Sequence, residues 1–134
     1  MRKKVLVADD EEITRKFLEI FLSHWGYDVK EAEDGEKAME ELAKDDFDLL
    51  ICDIMMPKKD GWQVLEEVKS NAKTKQIPVI ILTAKDGIPD LFKAHSLGAD
   101  YYMTKPFSYP KAQLLHAIQS LFGKNPNRGH QFAR

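Results

Sequence analysis

Five short apolar runs alternate along the chain with longer stretches in which apolar residues recur every three or four positions. Val5-Leu6-Val7-Ala8 is unbroken and followed by acids, the pattern of a strand buried on both faces. Ile13, Phe17, Leu18, Ile20, Phe21 and Leu22 then follow helical spacing, and Gly26 supplies a natural left-handed stop. Residues 27–32 predict a second strand, polar enough to belong near a sheet edge. Asp34-Gly35 marks a turn before a helix carrying Ala38, Met39 and Leu42. Residues 47–52 form a strongly apolar third strand, and residues 57–61 a loop. A helix with Trp62, Val64, Leu65 and Val68 follows, then a β-branched fourth strand at 78–82, apolar enough to be central. A helix from about Pro89 to Ser96, a short strand at 100–103 and a helix carrying Ala112, Leu114, Leu115, Ile118, Leu121 and Phe122 complete the pattern.

The order βαβαβαβαβα predicts an α/β fold with a parallel sheet, because right-handed crossovers lay each helix against one of its faces. Five strands favour the flavodoxin-like doubly wound (βα)5 arrangement with strand order 2-1-3-4-5. Its switch point lies between the first and third strands. Residues 124–134 have no apolar periodicity and contain Pro126 and Gly129. They are expected to be a flexible tail or the start of a linker after a single domain at 1–123.

Composition narrows the function class. A chain of 134 residues, 43% hydrophobic and 31% charged, suits one soluble domain with a real core. A net charge of −2 provides no basic footprint for nucleic acid, and no apolar stretch approaches the ~20 residues of a membrane span. The single cysteine, Cys52, excludes an intrachain disulfide and lies within an apolar strand, where it is expected to be a buried small hydrophobe. A cytoplasmic protein is the expectation.

Four signals stand just past four of the predicted strands: Asp9-Asp10, Asp53, Thr83 and Lys105-Pro106. Each has an ordinary explanation. Asp9 and Asp10 precede a helix, where Asp is a favoured N-cap and Glu11 and Glu12 suit the positive end of the dipole. Thr83 can cap the next helix, and Lys105 can simply be solvated. The strand ends of such a sheet nevertheless converge on one edge. Three carboxylates brought together there need a metal or a proton to be tolerated. Mg²⁺ prefers oxygen ligands and needs only one or two carboxylates. A carboxylate beside it can attack phosphorus to give an aspartyl phosphate. A hydroxyl and an ammonium at the same edge could bond the phosphoryl oxygens.

In order and in spacing, Val5-Leu6-Val7-Ala8-Asp9-Asp10-Glu11, Asp53-Ile54-Met55-Met56-Pro57-Lys58-Lys59-Asp60-Gly61, Ile81-Leu82-Thr83-Ala84 and Lys105-Pro106-Phe107 resemble the receiver domain of two-component response regulators. The likeness covers about residues 3–122. It implies that Asp53 accepts a phosphoryl group from a phosphohistidine on a histidine kinase or phosphotransfer protein. It further implies that Asp10 binds Mg²⁺ (or Mn²⁺) directly and Asp9 through water, with Asp53 and the Met55 carbonyl completing the protein's share. Thr83 and Lys105 would grip the phosphoryl oxygens, and the bond before Pro106 would be cis. Tyr102 matches the family's switch aromatic, which turns inward as the threonine moves.

A downstream protein would then read the face made by the fourth helix, fifth strand and last helix, on a monomer or a phosphorylation-linked dimer. Met55 and Lys85 border the path of an attacking water, and neither is a water-orienting acid or amide. Slow self-dephosphorylation is therefore expected, with Lys85 pairing with the phosphate; equally, both can be solvated rim residues. The rival from another class is a small Mg²⁺-dependent phosphatase or phosphotransferase using Asp53 as nucleophile. Such enzymes often carry a second acid two residues on, where this chain has Met55, and no insertion is long enough to form a cap.

Overall fold

The computed structural model describes residues 2–84, 88–105 and 111–123. The strands are β1 (Lys4–Ala8), β2 (Asp28–Ala32), β3 (Leu49–Cys52), β4 (Val79–Thr83) and β5 (Tyr101–Thr104). The helices are α1 (Glu12–His24), α2 (Gly35–Lys44), α3 (Gly61–Ser70), α4 (Ile88–Ser96) and α5 (Lys111–Phe122). All strand pairs are parallel, in the order β2-β1-β3-β4-β5. The polar second strand is thus an edge, as its composition predicts. The middle place belongs to β3, with β4 one strand away.

Alternation along the strands divides the core in two. Val5, Val7, Leu49, Ile51, Ile80 and Leu82 pack with Leu18 and Leu22 of α1 and with Leu114 and Ile118 of α5. Leu6, Ala8, Leu50, Cys52, Val79 and Ile81 pack on the other face with Leu42 of α2, Leu65 of α3 and Ala94 of α4. Each fully buried Leu, Ile or Val contributes about 1.5–3 kcal/mol relative to exposure, which fixes the strand register on both sides. Burial pushes the Cys52 thiol up, as expected of an inert core cysteine.

Local stops follow the same logic. α1 and α4 end in left-handed glycines, Gly26 and Gly98, both at φ +96°. In each, the two N–H groups of the glycine and its successor bond back into the last turn, as Gly26 to Ser23 and Tyr27 to Leu22.

Three features differ from the sequence pattern. Ile13 and Ile20, seven residues apart on α1, are 86% and 65% exposed; the buried row is Thr14, Leu18 and Leu22. Helical spacing alone could not choose between these adjacent stripes, because both contain apolar residues. Asp34-Gly35 is not a free turn: Asp34 caps α2, its side chain accepting the Lys37 N–H at 2.8 Å. Asp60, within the expected loop at 57–61, caps α3 in a reciprocal box with Gln63.

Candidate phosphoacceptor site

The site is assembled by where strands stop. Asp9 follows β1 directly, Asp53 follows β3, Thr83 is the last residue of β4, and Lys105 follows β5. Backbone bonds carry the sheet one step past these ends: Asp9 N–H donates to Ala32 O (3.0 Å), Asp53 N–H to Ala8 O (2.9 Å) and Lys105 N–H to Thr83 O (2.8 Å). Asp9 and Asp53 therefore flank the switch point between the first and third strands, where parallel sheets open a crevice.

Asp9, Asp10 and Asp53 each bring a carboxylate oxygen to within 4.8 Å of the others. Asp9 and Asp53 are only 2% and 5% exposed, whereas Asp10 faces solvent. The Lys105 ammonium lies among them, 2.7 Å from Asp9 Oδ2 and 3.3 Å from Asp53 Oδ2, and it also donates to Glu11 Oε1 at 2.8 Å. Burial raises the Asp9 pKa to about 6, although the Lys105 hydrogen bond and the Glu11 N–H pull it down; the Asp53 charge pushes it up further. Burial also disfavours the charged form of Lys105. Its hydrogen bonds to Asp9 and Glu11 and the charges of Asp9 and Asp53 outweigh that, so its pKa is raised.

The N-cap explanation of Asp9 and Asp10 does not hold. Glu11 is the N-cap residue of α1 and makes no side-chain cap bond, while Asp9 Oδ1 accepts the Glu11 N–H at 2.9 Å within the entering turn. Arg15 braces this turn, donating to Asp9 O (2.8 Å) and to Glu31 (3.2 Å). On the opposite side, Asp53 Oδ1 lies 3.4 Å from the Met55 N–H. Gly61 holds the loop in place: its N–H donates to Ile54 O (2.8 Å), and a Cβ there would run into the Asp53 carbonyl oxygen. Thr83 is fully buried. Tyr102 is 6% exposed and packs in the core shared with α4. The Met55 side chain is 61% exposed beside an open groove of about 580 Å³ that Asp10, Pro57 and Trp62 also line. Lys85 and Pro106 lie outside the described residues, as does the tail at 124–134.

This donor set suits a hard divalent cation: clustered carboxylate oxygens, two sheltered and one open to water. The sequence reading missed Glu11 as a participant, treating it only as a dipole-favoured acid. Its sequence signals are being a third acid in a row and closing the Val5–Glu11 motif.

The model of the response regulator receiver domain matches residues 5–119. The chain belongs to that family. Receivers are the phosphoaccepting switches of two-component response regulators, and phosphoryl transfer to an aspartate is general among them. The family binds Mg²⁺ at an acidic pocket. This receiver is 42% identical over 117 residues to protein PilG of Pseudomonas aeruginosa, covering 87% of the chain and 85% of that protein. It is 44% identical over 108 residues to the alkaline phosphatase synthesis transcriptional regulatory protein PhoP of Bacillus subtilis. That match covers 81% of the chain but only 44% of PhoP. Among solved structures, chemotaxis response regulator CheY4 of Vibrio cholerae superposes with a TM-score of 0.83 at 29% identity, over 90% of this chain and 99% of that one. The Francisella response regulator 1452 receiver domain gives 0.82 at 32% identity, over 90% and 97%. The receiver has kinase and downstream partners by virtue of its family. No helix among its described residues is long and apolar enough to cross a membrane.

Proposed function

We propose that Asp53 is the phosphoacceptor of this receiver and that the unit at 1–123 works in the cytoplasm, catalysing only its own phosphorylation and dephosphorylation. The observation that carries this reading is the Lys105 ammonium between two sheltered carboxylates, Asp9 and Asp53, at the sheet's C-terminal edge. An Asp53 oxygen attacks the phosphorus of a partner's phosphohistidine. The P–O bond forms as the P–N bond breaks, and the imidazole leaves with the electron pair and takes up a proton. Asp9, Asp10, Asp53 and the Met55 carbonyl would hold Mg²⁺ or Mn²⁺, which supplies charge neutralisation at the phosphoryl oxygens. Lys105 and Thr83 bond those oxygens once the group is on Asp53.

A phosphoryl group adds about −1.5 to −2 charge and three strong acceptors, so Lys105 and Thr83 reorganise around it. Thr83 ends β4, which pairs with β5, and Tyr102 of β5 packs in the core shared with α4. A movement of Thr83 therefore reaches the α4–β5–α5 face, where Phe92 of α4 is 67% exposed and open to a downstream protein. Lys85, two residues after Thr83, modulates the phosphate's lifetime; an unchanged decay rate in Lys85→Glu would remove it from the site.

The direct test is acetyl phosphate with Mg²⁺, read by intact mass. One phosphoryl adduct is expected, absent without Mg²⁺ and absent in Asp53→Asn. An adduct that persists in Asp53→Asn overturns the assignment.

A further inference from the structure

Glu11 makes a contact that this chemistry does not use. Its Oε1 accepts from the Lys105 ammonium (2.8 Å) and from the Thr14 hydroxyl (3.0 Å). Thr14 is buried in the first turn of α1, so it anchors a carboxylate whose side chain is otherwise 61% exposed. Both bonds hold the Glu11 carboxylate below the usual range, that to Lys105 foremost. Glu11 makes no side-chain cap bond to the helix backbone, and its carboxylate is shared between the Thr14 hydroxyl and the lysine.

An ammonium has three N–H donors. Among the described residues, Lys105 has three acceptors within 3.3 Å: Asp9, Glu11 and Asp53. A phosphoryl oxygen on Asp53 can be bonded only if one of them is released. Asp9 and Asp53 belong to the carboxylate cluster suited to a cation, and Glu11 does not. With a cation on the cluster, Asp9 and Asp53 give up the ammonium, and Glu11 is the acid left to draw its position and charge away from a phosphoryl oxygen.

We propose that Glu11, fixed by Thr14, is a positioning residue that keeps Lys105 in the resting receiver and competes with the phosphoryl group for its ammonium. The anchored Glu11–Lys105 pair thus sets how readily the receiver switches on. This rests on Asp53 being the acceptor and Lys105 the phosphate's partner.

The test compares wild type, Glu11→Gln and Thr14→Val. In metal-free protein, NMR of the Lys105 Nζ should show faster exchange of its protons in Glu11→Gln. With Mg²⁺, beryllofluoride (a tetrahedral phosphoryl mimic) should half-saturate Glu11→Gln at a concentration about two- to fivefold lower by calorimetry, the range of a solvent-screened ion pair. Thr14→Val, which frees the carboxylate without removing it, should move the same way by less. In a Lys105→Ala background the Glu11→Gln effect should disappear. Unchanged or weaker beryllofluoride binding by Glu11→Gln overturns the proposal. An equal gain without Lys105 also overturns it, because that would be a general field effect. Failure of the underlying reading shows separately, as an acetyl phosphate adduct that survives Asp53→Asn.

Discussion

Replacing Asp9 with asparagine should stabilise the metal-free protein, and the gain should grow with pH. Asp9 is 2% exposed, and its pKa stands at about 6 against an ordinary value of 3.8. The folded state therefore holds this proton more tightly than the unfolded chain does. Below about pH 4 both states are protonated and Asp9 is neutral in its effect. Between pH 4 and 6 the unfolded chain ionises first, and stability falls; above pH 6 the full penalty stands. At 1.36 kcal/mol per tenfold change, a rise from 3.8 to about 6 corresponds to about 3 kcal/mol.

Asparagine keeps an acceptor for the Glu11 N–H and removes the buried charge. Lys105 loses one anionic partner but retains Glu11 and Asp53. Urea unfolding in EDTA, with both proteins at pH 4.5 and pH 8, reads the effect directly. The variant's midpoint should lie about 1 M or more higher at pH 8, given slopes of about 1–3 kcal/mol/M, and the difference should shrink strongly at pH 4.5. A variant equally stable or less stable at pH 8 would refute the argument that buried charge at Asp9 strains the metal-free fold. So would a gain that does not change with pH.

Mg²⁺ should raise wild-type stability by about 2.7 kcal/mol at a hundredfold excess over its dissociation constant. Much of this should be lost in Asp10→Asn, measured by thermal unfolding with and without EDTA. Gly61→Ala should destabilise by about 1–3 kcal/mol in urea, because the new methyl forces the Asp53 carbonyl aside; it should also slow labelling by acetyl phosphate. Ile20→Lys should unfold within about 0.5 kcal/mol of wild type, since Ile20 faces solvent; a loss above 1 kcal/mol would show that this side of α1 is packed.

The architecture was legible because each strand is a compact apolar run and each helix has its own period; the element order followed from that alternation, and the strand order from the doubly wound arrangement that five βα units favour. The outer α1 stripe was not legible, because Ile13 and Ile20 are as apolar as the residues that are buried, and only the sheet decides which row turns inward. Asp34, read as part of a turn, and Asp60, read as part of a loop, proved to be helix caps. The distinguishing partner of Asp60 is Gln63, three residues on, a signal present in the sequence. At the site, strand-end positions were enough to gather Asp9, Asp10, Asp53 and Lys105. The Lys105–Glu11 bond was invisible because Glu11 stands past the strand end, at the N-cap of α1, where the Thr14 contact sets the direction of its side chain.

The pleat of the sheet adds a division of labour. Val5, Val7, Leu49, Ile51, Tyr101 and Met103 face α1 and α5, and one further step of the same alternation reaches Asp9, Asp53 and Lys105. Val79, Ile81 and Tyr102 face the opposite way, and Thr83 shares the parity of Val79 and Ile81. The three sheltered charged groups, Asp9, Asp53 and Lys105, thus continue one side of the sheet, and the threonine continues the other. A phosphoryl group bonded by both Lys105 and Thr83 would bridge two half-cores that the sheet otherwise keeps apart. Its arrival is then felt on the α4 side without any of the charged groups leaving theirs.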